Sequence, residues 1–379
     1  MLSPRLWLSL FYINFFLGWG IYLPFWALWL KDQALPPTQI GLLLGLAQGT
    51  RALGSLLLTT RVKQAQQLIP ASRLLSLATF CAFLAFLLPQ SMALLVVLTV
   101  VSSLLYSPLV PLSDTLATRM VTQVGLDYGK VRLWGSVAFV LATTGIGYVT
   151  GWLGAEAILW CLLASQALMW LGTMIPMTVQ PNDGEQARPA LAWHGLLRQP
   201  MVLRFLAVVA LIQGSHAAFY GFSAIHWQSL GIGEGAIGAL WSLGVVVEVA
   251  IFYFARHLFA GRSAAQLLAL AAGAVLLRWT GTAHAESLWA LAGLQALHGL
   301  TFATAHLGAM QYIGRELPGH FAVGTQALYS AFCLSLAVAA MMLVSGALFE
   351  QVGGQIFLIM AALGLPALLL CRGLKRVED

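Results

Sequence analysis

The chain reads as an all-α membrane protein of twelve transmembrane helices in two six-helix halves, and three observations lead there. Of its 379 residues 60% are hydrophobic and 8% charged, with mean hydropathy +0.85, more apolar surface than a water-soluble core absorbs. Hydrophobic runs long enough to cross a ~30 Å hydrocarbon layer recur throughout. The basic residues sort by loop rather than gathering in one patch.

The runs fall at roughly 5–30, 38–60, 71–88, 91–118, 130–151, 155–176, 200–228, 234–256, 262–281, 286–312, 322–348 and 353–372, most of them matching or exceeding the ~20 residues a membrane helix needs. The longest polar interruption, from Met177 to Pro200, carries the Pro, Gly and charge of a linker. It separates an N-terminal half, 1–176, from a C-terminal half, 200–379, through a cytoplasmic linker, 177–199, as in transporters built from duplicated halves. With the N-terminus placed inside, sixteen of the 19 Lys and Arg residues lie in cytoplasmic loops or ends, Arg51 and Arg278 lie within spans, and Lys31 alone lies outside. Both termini are therefore expected in the cytoplasm. No short apolar stretch ends in a small-residue cleavage site, so the first run is expected to be retained.

Several functions are disfavoured. The net charge of +6 is spread thinly over short loops, which argues against nucleic-acid binding. Cys81, Cys161, Cys333 and Cys371 show no metal or redox spacing. No HExxH, GxSxG or intramembrane aspartate pair is present, and GIGEG at 231–235 joins two spans without a preceding strand. No enzyme activity, cofactor or metal is expected.

In the N-terminal half, span 1 is dense in aromatics. Trp26 and Trp29 read as an interfacial belt, while Trp19, mid-span, fits a belt or a stacking surface for a ring-bearing substrate equally. Gly41, Gly45 and Gly49 recur every fourth residue in span 2 and indicate close helix packing. Arg51 follows within the membrane, where an unpaired charge costs at least ~2.5–3.5 kcal/mol, so an anion should meet it. Asp114 near the end of span 4 and Arg132 near the start of span 5 are either a functional pair or members of a solvated loop.

In the C-terminal half, Gln213, His216 and Tyr220 line one stripe of span 7, and His216 fits a structural role as well as a functional one. Glu248, Arg278 and His298 each stand in a hydrophobic run of spans 8, 9 and 10, and intramembrane ionisable groups should face protein or a water-filled cavity. Trp241 precedes Glu248 by seven residues on nearly the same face, an aromatic neighbour able to desolvate the acid. His306 lies eight residues after His298, roughly 12 Å further along a regular helix and about 80° round it, so both rings should not face one substrate.

GIYLPFWALWL at Gly20–Leu30, YGKVRLWGS at Tyr128–Ser136, LRQP at Leu197–Pro200, LQALH at Leu294–His298 and the stretch from Ala309 to Ile313 follow one another in an order and spacing that resembles the major facilitator superfamily. The resemblance covers nearly the whole chain, falls in the branch holding lactose permease, and is nearest to the phenylpropionate permeases. It implies a bacterial inner-membrane carrier working by alternating access. It further implies that Asp114 and Arg132 correspond to an acid and arginine that grip substrate, and Glu248, Arg278 and His298 to a proton-coupling cluster. The chain departs where that branch carries a glutamate three residues after the histidine: Thr301 stands there. A threonine holds no exchangeable proton near neutral pH, which leaves Glu248, then His298, to carry it. The acids of span 7 and the lysine of span 11 are absent together, the superfamily's aspartate is missing from GSLLLTTRVKQ, and Arg51 is an added cation.

The function expected is proton symport of a small aromatic carboxylate, foremost 3-phenylpropionate, through a central cavity between the halves. Arg51 or Arg132 would hold the carboxylate and Trp19, Phe16 or Trp241 the ring, since an arginine fork matches a carboxylate bidentately. Gln213 and His216 are further candidate substrate contacts. A neutral sugar or nucleoside is the alternative cargo. The expected partners are this small molecule, protons and the lipid bilayer, with the protein a monomer.

Overall fold

A computed structural model describes residues 1–182 and 196–374. Among these no β-strand occurs, only an isolated bridge between Leu2 and Met177. Of the expected linker, 183–195 lies outside the described residues, as do Arg188, Lys375 and Arg376 of the charge count.

The first seven helices are α1 (Pro4–Asp32), α2 (Pro37–Thr59), α3 (Leu68–Leu84), α4 (Met92–Tyr106), α5 (Leu109–Val124), α6 (Tyr128–Leu153) and α7 (Glu156–Met174). The single run expected over 91–118 is interrupted at Pro108, which has no N–H to continue the ladder. After the linker come α8 (Pro200–Gly214), α9 (Ala217–Ser229), α10 (Glu234–Leu258), α11 (Ala264–His284), α12 (Leu288–Ala296), α13 (Thr304–Gln311), α14 (Gly319–Leu328), α15 (Ala337–Val352), α16 (Ile356–Ala362) and α17 (Gly364–Cys371). Helix starts follow local chemistry: Ser287 accepts the Ala290 N–H at 3.2 Å, and Ser263 forms a reciprocal capping box with Gln266. Asp127 caps α6 by accepting the Lys130 N–H at 3.1 Å, which holds its carboxyl below the ordinary value.

Ten helical segments among the described residues are long and apolar enough to cross a membrane. Two expected runs share Gly324–Cys371, and the run 286–312 is divided by a π-helical turn at Gly299–Ala303. With those differences the pattern agrees with twelve spans, and the chain is a multi-pass membrane protein.

The contacts define two compact units. The first comprises Met1–Leu35, Leu46–Ala187 and Gly233–Ser242. In it α1 packs on α6 and α7, with Leu8, Tyr12, Leu109, Leu116, Ala117 and Met120 at its core. Along α1 the rings of Trp19, Tyr22, Trp26 and Trp29 stack in succession at 5.6, 5.4 and 4.4 Å. Trp26 and Trp29 are 2% and 3% exposed and meet Phe86 edge-on. This corrects the interfacial-belt expectation: the aromatic ladder faces protein because ring stacking at helical spacing buries it.

The second unit comprises Pro36–Gly45, Arg188–Ile232 and Leu243–Asp379. Within it a Cβ on Gly41 would meet the Gly346 Cα at 2.5 Å, and one on Gly45 would meet a Leu343 methyl at 2.9 Å. At these two glycines the expected close helix packing is therefore present.

Candidate functional site

Each unit holds an arginine cluster. In the first, α2 carries Arg51 so that its guanidinium carbon lies 3.8 Å from the Trp19 ring centroid. Among the described residues no carboxylate is within ion-pair distance of Arg51. Trp19 also approaches Tyr106 at 6.3 Å, and the Tyr106 hydroxyl donates to the Phe15 carbonyl at 2.8 Å. Beside Tyr106 sits Gln166, 1% exposed, with both amide heteroatoms lacking a hydrogen bond.

On the same helix α1, Phe16 lies 4.2 Å under the Arg132 guanidinium and Tyr12 lies 5.3 Å away. Asp114 accepts from the Tyr12 hydroxyl at 2.6 Å and from the Tyr128 hydroxyl at 3.1 Å. Asp114 and Arg132 thus share a neighbourhood without forming an ion pair, because two tyrosines satisfy the acid and the cation rests on ring faces.

In the second unit the three isolated ionic groups converge. Arg278 is fully buried on α11. Its Nη1 donates to His298 Nδ1 at 3.0 Å and to Thr301 Oγ1 at 3.0 Å, and its Nη2 donates to Gln295 Oε1 at 2.7 Å. The guanidinium also lies 4.1 Å from the Trp279 ring and 4.8 Å from that of Phe219. His298 Nε2 is 3.4 Å from Glu248 Oε2 on α10. Among the described residues no hydrogen bond joins Arg278 to a carboxylate; His298 stands between the two charges.

Hydrogen-bond logic assigns the protons. A guanidinium only donates, so His298 Nδ1 must accept, and the neutral ring carries its hydrogen on Nε2, toward Glu248. His216, fully buried, has Nδ1 3.0 Å from the Ile212 carbonyl, which only accepts, so its hydrogen is on Nδ1. His216 Nε2, without a hydrogen, faces the Thr301 hydroxyl at 3.0 Å, whose single hydrogen lies between this nitrogen and the His298 carbonyl at 3.1 Å. Thr301 thereby links Arg278 to His216, and this network includes Gln295 and Thr301, which are not among the site residues expected from sequence. Their place three residues before and after His298 is the signal that was available.

The remaining candidates differ. Gln213 is 1% exposed with its Nε2 lacking a partner, and Trp241 is buried seven residues before Glu248 on α10. His306 departs from the expected geometry. The Thr304 N–H bonds the Gly299 carbonyl five residues back, so the helix holds one residue more than an α-turn there. One extra residue turns everything after it by about 100°, which cancels most of the 80° offset of a regular helix. His306 accordingly follows His298 along the face that meets α10, its ring 6.0 Å from that of Phe252, one turn beyond Glu248.

Comparison with known proteins agrees with this architecture. The chain is 42% identical over 373 residues to the probable 3-phenylpropionic acid transporter of Escherichia coli, covering 98% of each chain. It is 29% identical to the maltose permease of Geobacillus stearothermophilus over 369 residues, 95% of this chain and 93% of that one. The crystal structure of the nucleoside transporter NupG superposes with a TM-score of 0.84 over the full length of both chains at 14% identity, a likeness of fold alone. Residues 5–360 match the MFS_1 like family model. The chain is a membrane transporter and no enzyme: it belongs to the MFS_1 like family of the major facilitator superfamily.

Proposed function

We propose that this transporter imports a small aromatic carboxylate, foremost 3-phenylpropionate, together with a proton across the bacterial inner membrane, with both termini in the cytoplasm and the monomer as the working unit. The observation that carries the reading is Arg51, an intramembrane guanidinium laid on the Trp19 ring at 3.8 Å with no carboxylate partner among the described residues. A cation costly to hold in the membrane and flanked by a ring fits a ligand that brings both an anion and a ring of its own. The name of the Escherichia coli relative supports the same cargo.

Glu248 carries the coupling proton in this reading. As a carboxylate it attracts the His298 Nε2–H, which lies 3.4 Å from its Oε2; protonated, it keeps only a neutral contact, weaker by about 1–2 kcal/mol. Protonation thus loosens the tie between α10 and the helix bearing His298, the kind of small differential that shifts a two-state carrier. Deprotonation toward the more alkaline cytoplasm restores the tie, and alternating access carries substrate and proton together.

The test is uptake of labelled 3-phenylpropionate into energised membrane vesicles, with lactose and uridine as competitors. Competition by other aromatic acids and none by lactose or uridine supports the reading. Preferential competition by the sugar or nucleoside replaces it with a neutral cargo.

A further inference from the structure

Three imidazoles lie in the second unit close to Arg278 or Glu248, and their hydrogen-bond partners differ in kind. His298 Nδ1 faces the Arg278 guanidinium, a pure donor, so a proton added there would set two donors against each other. His216 is fully buried, its Nδ1–H on a backbone carbonyl and its Nε2 on the Thr301 hydroxyl, whose oxygen already accepts from Arg278, so an imidazolium there would stand one hydroxyl away from a guanidinium. His306 Nδ1 faces the Tyr329 hydroxyl at 2.7 Å. A hydroxyl both donates and accepts, so it can serve the neutral ring as donor and the imidazolium as acceptor by turning its own hydrogen. Of the three, His306 is the ring that can gain and lose a proton without breaking its hydrogen bond and without sharing its partner with the Arg278 guanidinium.

Its position suits a step after Glu248. The pairs Glu248 with His298 and Phe252 with His306 occur in the same order along α10 and its neighbour, so these helices run in the same direction. With the termini oriented as proposed, His306 is nearer the cytoplasm than Glu248. A π-helical turn at Gly299–Ala303 precedes His306, and Tyr329 opens another at Tyr329–Leu336; π turns of this sort concentrate at functional sites.

We infer that His306, held by Tyr329, is the relay that takes the coupling proton from Glu248 and delivers it to the cytoplasmic side. The step is a proton transfer only: the Glu248 O–H bond breaks to leave a carboxylate, an N–H bond forms on the His306 ring, and the imidazolium then loses that proton to water. Tyr329 keeps its own hydrogen and changes only its direction. This inference rests on the proton-coupled reading above.

The experiment uses the full-length protein reconstituted in liposomes, with radiolabelled 3-phenylpropionate as probe, in wild type, His306→Gln and Tyr329→Phe. Two rates are compared, accumulation driven by an imposed pH gradient and exchange at equal pH on both sides, because exchange does not require the proton to leave. The expected result is a loss of about tenfold or more in gradient-driven accumulation by His306→Gln, the order associated with a positioned acid or base, with exchange within about twofold of wild type and Tyr329→Phe intermediate. Wild-type inhibition by internal acid should also disappear in His306→Gln. Unchanged accumulation and acid response in His306→Gln overturn the relay. Equal loss of accumulation and exchange in both variants overturns it too, by assigning the pair to structure. A wild type indifferent to the gradient overturns the coupling reading and the relay with it.

Discussion

The Nη1 of Arg278 donates to Nδ1 of His298 at 3.0 Å, and this bond makes the neutral imidazole present its hydrogen to Glu248. The arginine therefore sets the proton that faces Glu248, the acid proposed to couple transport to protons, through His298. A planar fork reaches His298, Thr301 and Gln295 at once, and an ammonium on a flexible stem does not reproduce that geometry.

Arg278→Lys should keep the charge and lose the function. Gradient-driven accumulation is expected to fall about tenfold or more, since one lost hydrogen bond to a charged group is worth about 1.5–3 kcal/mol. Accumulation at the wild-type level would show that charge alone suffices.

Glu248→Gln should separate exchange from accumulation. The amide keeps the acceptor oxygen facing His298 Nε2 but cannot give up a proton. Exchange across proteoliposomes should persist with little dependence on pH, whereas uphill uptake is expected to vanish. Normal uphill uptake would remove Glu248 from the coupling role.

Arg51→Gln and Trp19→Leu test the carboxylate and the ring separately. The first should raise the apparent KM for 3-phenylpropionate by about tenfold to a hundredfold, a charge-assisted contact being worth about 1.5–3 kcal/mol. The second, which removes the ring face under the guanidinium, should have a smaller effect, about 0.5–2 kcal/mol. Uptake of aromatic acids unchanged in Arg51→Gln would end the carboxylate assignment.

Thr301→Val keeps shape and removes the hydroxyl that accepts from Arg278 and faces His216 Nε2, all three residues being fully buried. Leaving those groups without their partner should cost about 1–3 kcal/mol, read as earlier thermal unfolding in detergent. Retention of the wild-type midpoint would mean that the network relaxes around the gap.

Gly41→Val should impair folding rather than transport chemistry. Its Cβ would press against the Gly346 Cα and, at 2.9 Å, the Met342 carbonyl, backbone atoms that cannot step aside. Little folded protein should be recovered in membranes; normal yield and melting would show that α2 and α15 can separate there.

Much of this protein is legible in one dimension. The hydrophobic runs and the loop charges identify a multi-pass helical bundle because a continuous apolar run of this length satisfies its backbone hydrogen bonds in lipid as a helix. Lone charges are conspicuous because a membrane makes them costly, so Glu248, Arg278 and His298 stand out from their apolar surroundings in the sequence alone. Gly41 and Gly45 announce close packing by their spacing alone.

Which groups meet was not legible, because each meeting is a long-range contact whose geometry depends on helical phase. The regular periodicity of 286–312 places His306 on another face from His298, and a π turn held by packing overrides it. Trp26 and Trp29 are read at the lipid boundary by residue type, yet stacking places them inside. Residue spacing identified the ionisable groups that a membrane makes costly; their partners, and with them the direction in which each proton points, follow from helices distant in sequence meeting side by side.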